Sequence, residues 1–294
     1  MPAMVPVPAT LPERPTDVGA QVNAAFRTFG THARAVFAPA LAGQLLALLP
    51  YLAMPEVGSE PAAAAELLDW LARPATWALL VAVSVAQLHL SCVILYRLGC
   101  RGRGRDPGLP ASFQHGLQRT AAAVASLLLY LAGLAAASLP FLLLVGLAAA
   151  SGQGALSGLL ALAALFSCAL PVWWSLAAGL ALPAVVLERR GPIAAIGRSL
   201  ALVRGSWWRI SVVLGVVLLV HLAVSMVLGT VLAIAAMAGL ASAPGTGGPG
   251  SGWMLALQLL LSPVNALLLI LLFSGLLAVF NDRVRAVEHA ASGG

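Results

Sequence analysis

Lysine is absent from this sequence, acidic residues number only 10, and charged residues of both signs make up 9% of its 294 positions. A soluble domain carries about a quarter charged residues, so a water-facing surface of this size is excluded. The missing lysine removes the Gly-Lys pair of a P-loop, and no GxSxG or HExxH run is present. Charge is missing in blocks as well: no Asp, Glu, Lys or Arg occurs between Thr120 and Leu187, or between Ile210 and Asn281. Either block far exceeds the ~20 apolar residues that cross a bilayer core once. Only three cysteines occur, Cys92, Cys100 and Cys168, without CxxC or Cys/His spacing, so neither a disulfide framework nor a zinc site is supported.

What is present is apolar. Hydrophobic residues make up 61% of the chain and mean hydropathy is +0.96. Six apolar blocks fall at about Ala35–Met54, Thr76–Tyr96, Ala121–Leu147, Leu156–Val186, Ile210–Ala241 and Trp253–Phe280. Lipid cannot satisfy exposed backbone groups and the alternation of barrel strands is absent, so each block must be a helix. The expected fold is an all-α polytopic integral membrane bundle, with six spans as three helical hairpins and cytoplasmic interfacial amphipathic helices. The stretch MPAMVPVPATLPERPTDVG is Pro-rich and lacks the basic-then-apolar order of a secretory signal. Residues 1–18 are therefore expected to form a disordered cytoplasmic tail, 19–286 the membrane domain, and 287–294 a flexible tail.

The net charge of +6 would suggest nucleic-acid binding in a soluble protein. Here the arginines sit beside span ends, so the excess is topological and no nucleic acid is expected. Arg14, Arg27 and Arg34 precede the first span; Arg97, Arg101, Arg103, Arg105 and Arg119 separate the second and third. Arg189, Arg190, Arg198, Arg204 and Arg209 separate the fourth and fifth, and Arg283 and Arg285 follow the sixth. The three remaining loops hold Arg73 alone, with Glu56, Glu60, Glu66 and Asp69. The positive-inside rule then places both termini in the cytoplasm. All-arginine usage with abundant Ala and Gly points to a GC-rich bacterial genome, hence to a bacterial inner membrane.

Tyr51, Trp70, Trp77 and Trp253 fall at the outer interface in this reading, and Tyr96, Trp207 and Trp208 at the inner one; Trp173 and Trp174, beside Pro171, read as a core-facing pair at a kink. The first outer loop is expected to hold a short surface helix begun by Pro61 and ended by Pro74. Ser151-Gly152-Gln153-Gly154 reads as a tight turn and 242–252 as a flexible link. Spans three to six exceed a ~30 Å core and must tilt, extend or break near Pro140, Pro171, Pro183 and Pro263.

Residues Glu188–Arg209 carry the strongest local pattern. At 100° per residue Ile193, Ile196, Leu200, Val203 and Trp207 share one arc, with Arg198 and Arg209 pointing away, as in a helix lying in the interface. Arg190, Arg198, Arg204 and Arg209 are the candidate contacts to anionic headgroups of the cytoplasmic leaflet, each contributing about 1 kcal/mol. The run Pro183, Glu188, Arg190-Gly191-Pro192-Ile193, Arg198-Ser199, Leu200, Arg204-Gly205 and Trp207-Trp208-Arg209 resembles the bacterial family that includes the membrane domain of some glycerophosphoryl diester phosphodiesterases and the YciC-type inner-membrane proteins. Pro263 and the terminal Arg283 and Arg285 match that family's C-terminal end, although Phe280-Asn281-Asp282 stands where the family has Tyr-Asp. The resemblance covers spans four to six well and the first half in layout only. It implies no activity, because phosphodiesterase chemistry in such proteins resides in a separate soluble barrel.

Ala24-Ala25-Phe26, Ala111-Ser112-Phe113 and Ala194-Ala195-Ile196 each open a short arginine-containing segment, suggesting three related units of one interfacial segment and two spans. No formally charged group lies inside a span. The intramembrane polar candidates are Gln44, Gln87, His89, His221, Gln258 and Asn265, of which His89, His221 and Asn265 are the sites a solute path would use. Small-residue ridges at Ser225, Gly229 and Ala233 and at Gly133 and Ala137 would permit close helix approach. Together these features point to a non-enzymatic membrane protein without cofactor or metal, supporting envelope or lipid organisation through its Arg-rich cytoplasmic interfacial helices, with membrane lipids as partners and a membrane-protein partner or second copy allowed. The alternative is a permease for an apolar or amphiphilic solute; a lipid-modifying enzyme lacks the catalytic groups.

Overall fold

The computed structural model describes residues 5–53, 61–152, 154–242 and 251–292, with the side chains of all but 61–64, 232, 235–242 and 251–254. The chain is all-α. Its helices are α1 (Val18–Leu46), α2 (Leu49–Ala53), α3 (Pro61–Ala72), α4 (Pro74–Gly102), α5 (Leu109–Ala150), α6 (Ala155–Ser167), α7 (Ala169–Ala178), α8 (Ala181–Leu187), α9 (Pro192–Val203), α10 (Trp207–Ser242) and α11 (Ser251–Ser292). Two residues each of β1 (Val5–Pro6) and β2 (Arg105–Asp106) pair antiparallel. Among the described residues six segments are long and apolar enough to cross a membrane: α1–α2, α4, α5, α6–α8, α10 and α11. The apolar blocks of the sequence are therefore helices of spanning length, as in a multi-pass membrane protein.

Span α11 is the most buried of the six and packs most extensively against α1, with α10 on its other flank. Helix α4 lies between α1 and α5, and α5 in turn carries α6, α7 and α8. The core holds Val36, Leu95, Leu98, Leu180, Val213, Ile270 and Phe280. Span α5 is the least buried, and Leu128, Leu142, Leu143 and Val145 stand open on it, as lipid-facing side chains of a bundle should.

Proline behaves differently in different spans. Helices α5 and α11 run unbroken through Pro140 and Pro263. Lipid offers no water to compete for the remaining backbone bonds, so the loss of one need not end a helix. Span four is interrupted at Cys168 and at Gly179–Leu180. Each gap opens at the carbonyl four residues before a proline, Ser167 before Pro171 and Gly179 before Pro183, the group stripped of its N–H partner.

The second interruption is bridged from outside. The fully buried Ser199 hydroxyl on α9 accepts from Leu180 N (3.1 Å) and donates to the Ala177 carbonyl (2.6 Å). Ser199→Ala should therefore leave both backbone groups unpaired and lower stability by about 1–3 kcal/mol. Thermal unfolding of the purified protein in detergent measures this, and an unchanged midpoint would show that the gap needs no bridge.

Close approaches rest on glycine. Trp174 covers Gly133, where an added Cβ would overlap the indole, and Val217 of α10 covers Gly275 of α11 at 2.8 Å. The Gly133 ridge thus serves close packing. On the ridge of Ser225, Gly229 and Ala233, a Cβ at Gly229 would meet nothing among the described residues. Trp173 is 48% exposed, so only Trp174 of the expected core-facing pair faces protein.

The stretch expected to be a disordered tail instead lies against the bundle over residues 5–17. Val7 N donates to Gly104 O, and Thr10 and Leu11 N to Gly102 O. The Thr10 and Thr28 hydroxyls bond at 2.8 Å, Asn281 Nδ2 donates to Pro12 O (2.8 Å), and Thr16 N to Asp282 Oδ1 (2.7 Å). Its prolines at 6, 8, 12 and 15 already restrict the unfolded chain, so ordering this strap costs comparatively little entropy. Asp17 caps α1 by accepting from Ala20 N (2.7 Å). At the other end, α11 continues to Ser292, so residues 287–292 are helical where a flexible tail was expected.

Helix α3 runs from Pro61 to just before Pro74, as the expected surface helix does. The side chain of Trp253, Gln153 of the tight turn, and 243–250 of the long link lie outside the described residues. In the three suggested repeat units the middle residues Ala25, Ser112 and Ala195 are all fully buried. Their form differs: the first two segments continue within α1 and α5, whereas α9 is a separate helix set off by Gly205 at φ +76°.

Candidate functional site

The arginines predicted to border spans meet at one end of the bundle, knitted together by a few acids. Asp106, at β2, accepts from Arg97 Nε (3.2 Å) and Nη2 (3.3 Å), from Arg101 Nη1, and from Gly108 N (3.0 Å). Partial burial alone would raise its pKa. The Arg97 and Gly108 hydrogen bonds and the charges of Arg97 and Arg101 outweigh this and hold the carboxyl below its ordinary value. Arg97 Nη1 also donates to Ala35 O (2.7 Å), fastening α4 to α1. His115 of α5 bonds Val186 O (2.8 Å) at the end of α8 and stacks on Tyr96 of α4 (3.8 Å between centroids). The N-terminal strap, α4, α5, α8 and α11 are thus joined at this end.

Helix α8 stops through Arg189, a non-glycine residue at φ 55°, with Arg190 N returning to Ala184 O (3.3 Å). This left-handed stop turns the chain and places Glu188 and Arg190 on the same pocket as Arg198 of α9. Glu188 accepts from Arg190 Nε, and from Arg198 Nε (3.2 Å) and Nη2 (3.1 Å). The pocket, about 380 Å³, is completed by Arg103 beyond α4, Leu187, and Phe280, Asn281, Val284, Arg285 and Glu288 of α11. Arg285 donates to Glu288 (3.1 Å). Arg103 has no hydrogen-bond partner among the described residues; the protein crowded around it and the neighbouring Arg285 charge draw its pKa below the ordinary guanidinium value.

The four predicted headgroup arginines therefore separate. Arg204 and Arg209 are exposed, with Arg209 Nη2 donating to the Thr16 carbonyl. Arg190 is exposed too, although paired with Glu188, and the Arg198 side chain is only 19% exposed in its pairing with Glu188. The apolar arc of α9 is also redirected. Val203 is buried and Ile196 and Trp207 pack on the core, with only Ile193 open, because Ala195, Ser199 and Leu202 dock the helix on protein.

The intramembrane polar residues do not converge. His89 Nδ1 bonds Thr120 Oγ1 (3.0 Å) across the α4–α5 seam, and Gln87 Nε2 donates to Gly43 O (3.2 Å). His221 on α10 has a buried Nδ1 without a partner among the described residues, and Asn265 is half-buried on α11. Helices α4 and α10 share no substantial packed seam, so His89 and His221 belong to different parts of the bundle.

Sequence reasoning missed Asp106, His115 and Glu288 as parts of this end, placed Arg103 and Arg285 there only as topology signals, and took Glu188 only as one element of a motif. A usable signal existed: Asp106, Glu188, Asp282 and Glu288 are acids placed in the arginine-rich segments, where topology alone has no use for them. No known protein family, curated protein or solved structure matches the chain.

Proposed function

We propose that this is a non-enzymatic integral protein of the bacterial inner membrane, with both termini cytoplasmic, that supports envelope or lipid organisation through its arginine-rich face. The observation that carries the reading is the gathering of arginines from four parts of the chain at one end of a bundle of membrane-spanning length. An arginine-rich end favours the cytoplasmic side and the anionic lipid there. The motif run from Pro183 to Arg209 supports placing the chain beside the membrane domain of the glycerophosphoryl diester phosphodiesterases and the YciC-type proteins.

Arg204 and Arg209 are the exposed members of the predicted headgroup set that stand outside the Glu188 pairs, and in this reading they bear directly on lipid. Arg204→Gln with Arg209→Gln should lower the anionic lipid that co-purifies with the protein, about 1 kcal/mol per arginine, or up to ~30-fold together. Lipid mass spectrometry of the purified protein measures this. Unchanged lipid composition and unchanged recovery of co-purifying proteins would sink the reading.

A permease for an apolar or amphiphilic solute is the second reading. It is favoured by the twice-interrupted span four and by the His221 Nδ1, which has no partner among the described residues. Flux in proteoliposomes that disappears in His221→Ala or Asn265→Ala would select it over the first.

A further inference from the structure

We propose that the pocket between Arg103, Glu188, Arg190, Arg198 and Arg285 is a binding site for a phosphate monoester. Four guanidiniums converge there from four separate segments, against two carboxylates, leaving a net charge of +2. The carboxylates do not saturate them. Glu188 takes one nitrogen of Arg190 and two of Arg198, Glu288 takes one nitrogen of Arg285, and Arg103 keeps its whole fork among the described residues. Glu188 and Glu288 thereby hold the guanidiniums in place while leaving donors for a guest.

The guest is identified by charge, shape and size. Planar guanidinium forks match the oxygens of a phosphoryl group bidentately. A dianion neutralises a +2 pocket, which favours the monoester over the singly charged diester of an ordinary phospholipid linkage. A volume of about 380 Å³ holds a phosphoryl group with a small polyol and is too small for a polynucleotide. Leu187, Phe280 and Val284 supply an apolar wall for the carbon side of the ester. Two sources share this chemistry: a soluble polyol phosphate, and a lipid with a terminal phosphate such as phosphatidic acid. The inference rests on the proposed function only for the lipid source.

The test uses the full-length protein. In neutral detergent, glycerol 3-phosphate is titrated calorimetrically at pH 7.5 and 5.5. In phosphatidylcholine nanodiscs containing phosphatidic acid or phosphatidylglycerol, bound lipid is counted by native mass spectrometry. Saturable binding in either arm is expected, weaker at pH 5.5 because the second phosphate proton returns near pH 6. Arg103→Gln, whose side chain makes no hydrogen bond within the described protein, should weaken binding at least 10-fold, and Arg285→Gln similarly. Glycerol 3-phosphate binding alone assigns a soluble guest, phosphatidic acid retention alone a lipid, and both a site open to either. No saturable binding in either arm, equal retention of phosphatidylglycerol, or undiminished binding by both variants overturns the proposal. Arg204 and Arg209 lie outside the pocket. If Arg204→Gln with Arg209→Gln still changes co-purifying lipid while the pocket variants change nothing, only the pocket has failed; the reverse result retains the pocket and removes the broader function.

Discussion

Asp106→Ala should destabilise the protein by about 3 kcal/mol or more, the largest loss expected from any single charge at the arginine-rich end. The Arg97, Arg101 and Asp106 side chains are each less than a fifth exposed, so the carboxylate is the principal counter-charge for two desolvated guanidiniums. Its removal also frees the Gly108 N–H and loosens the strand that fastens the N-terminal strap. Denaturation in mixed detergent micelles measures the change. A loss below ~1 kcal/mol would mean that Arg97 and Arg101 turn to water or lipid phosphate without penalty. The pH dependence has a fixed sign. Because Asp106 is held below its ordinary value of 3.8, the folded protein resists protonation more than the unfolded chain does. Its contribution is therefore complete above about pH 4 and disappears as pH falls through the lowered folded value. The stability gap between wild type and Asp106→Ala should close over that acidic window, and a gap that widened on acidification would contradict the assigned role.

The spans were legible in the sequence because a charge-free block of that length has one inexpensive environment, and helix is its only form there. The short helix α3 was legible because Pro61 and Pro74 mark its ends chemically. Tertiary choices were not. Nothing local distinguishes the strap over residues 5–17 from a loose Pro-rich tail, since its partners Gly102, Asn281 and Asp282 are remote in the chain. Helix α9 has the periodicity of an interfacial helix, yet Ser199 and Ala195 on the neighbouring arc dock it on protein. A small residue and a hydroxyl carry no hydrophobic signal, although they allow the closest approach. The candidate site divides in the same way. Arginine positions were readable from topology, whereas the pocket needed Glu188 and Glu288 to meet Arg103, which is a fact of packing.

Gly133→Ala should cost about 3 kcal/mol, although it adds one methyl to the span least buried in protein. The new Cβ would overlap Trp174 Cζ2 and Cε2, so the indole must leave. It cannot slide away freely, because Trp174 Nε1 donates to the Tyr130 carbonyl at 2.9 Å, one turn before Gly133. Overpacking commonly costs 1–3 kcal/mol, and breaking this bond adds about 1 kcal/mol. The strain belongs to the pair, so a double-mutant cycle isolates it. Trp174→Phe removes the second ring and the N–H, at a price of its own. In that background Gly133→Ala should cost less than 1 kcal/mol. If the two substitutions instead add independently, the methyl acts through the helix backbone or the lipid, and the contact between α5 and α7 is not where span four gains its hold on the bundle.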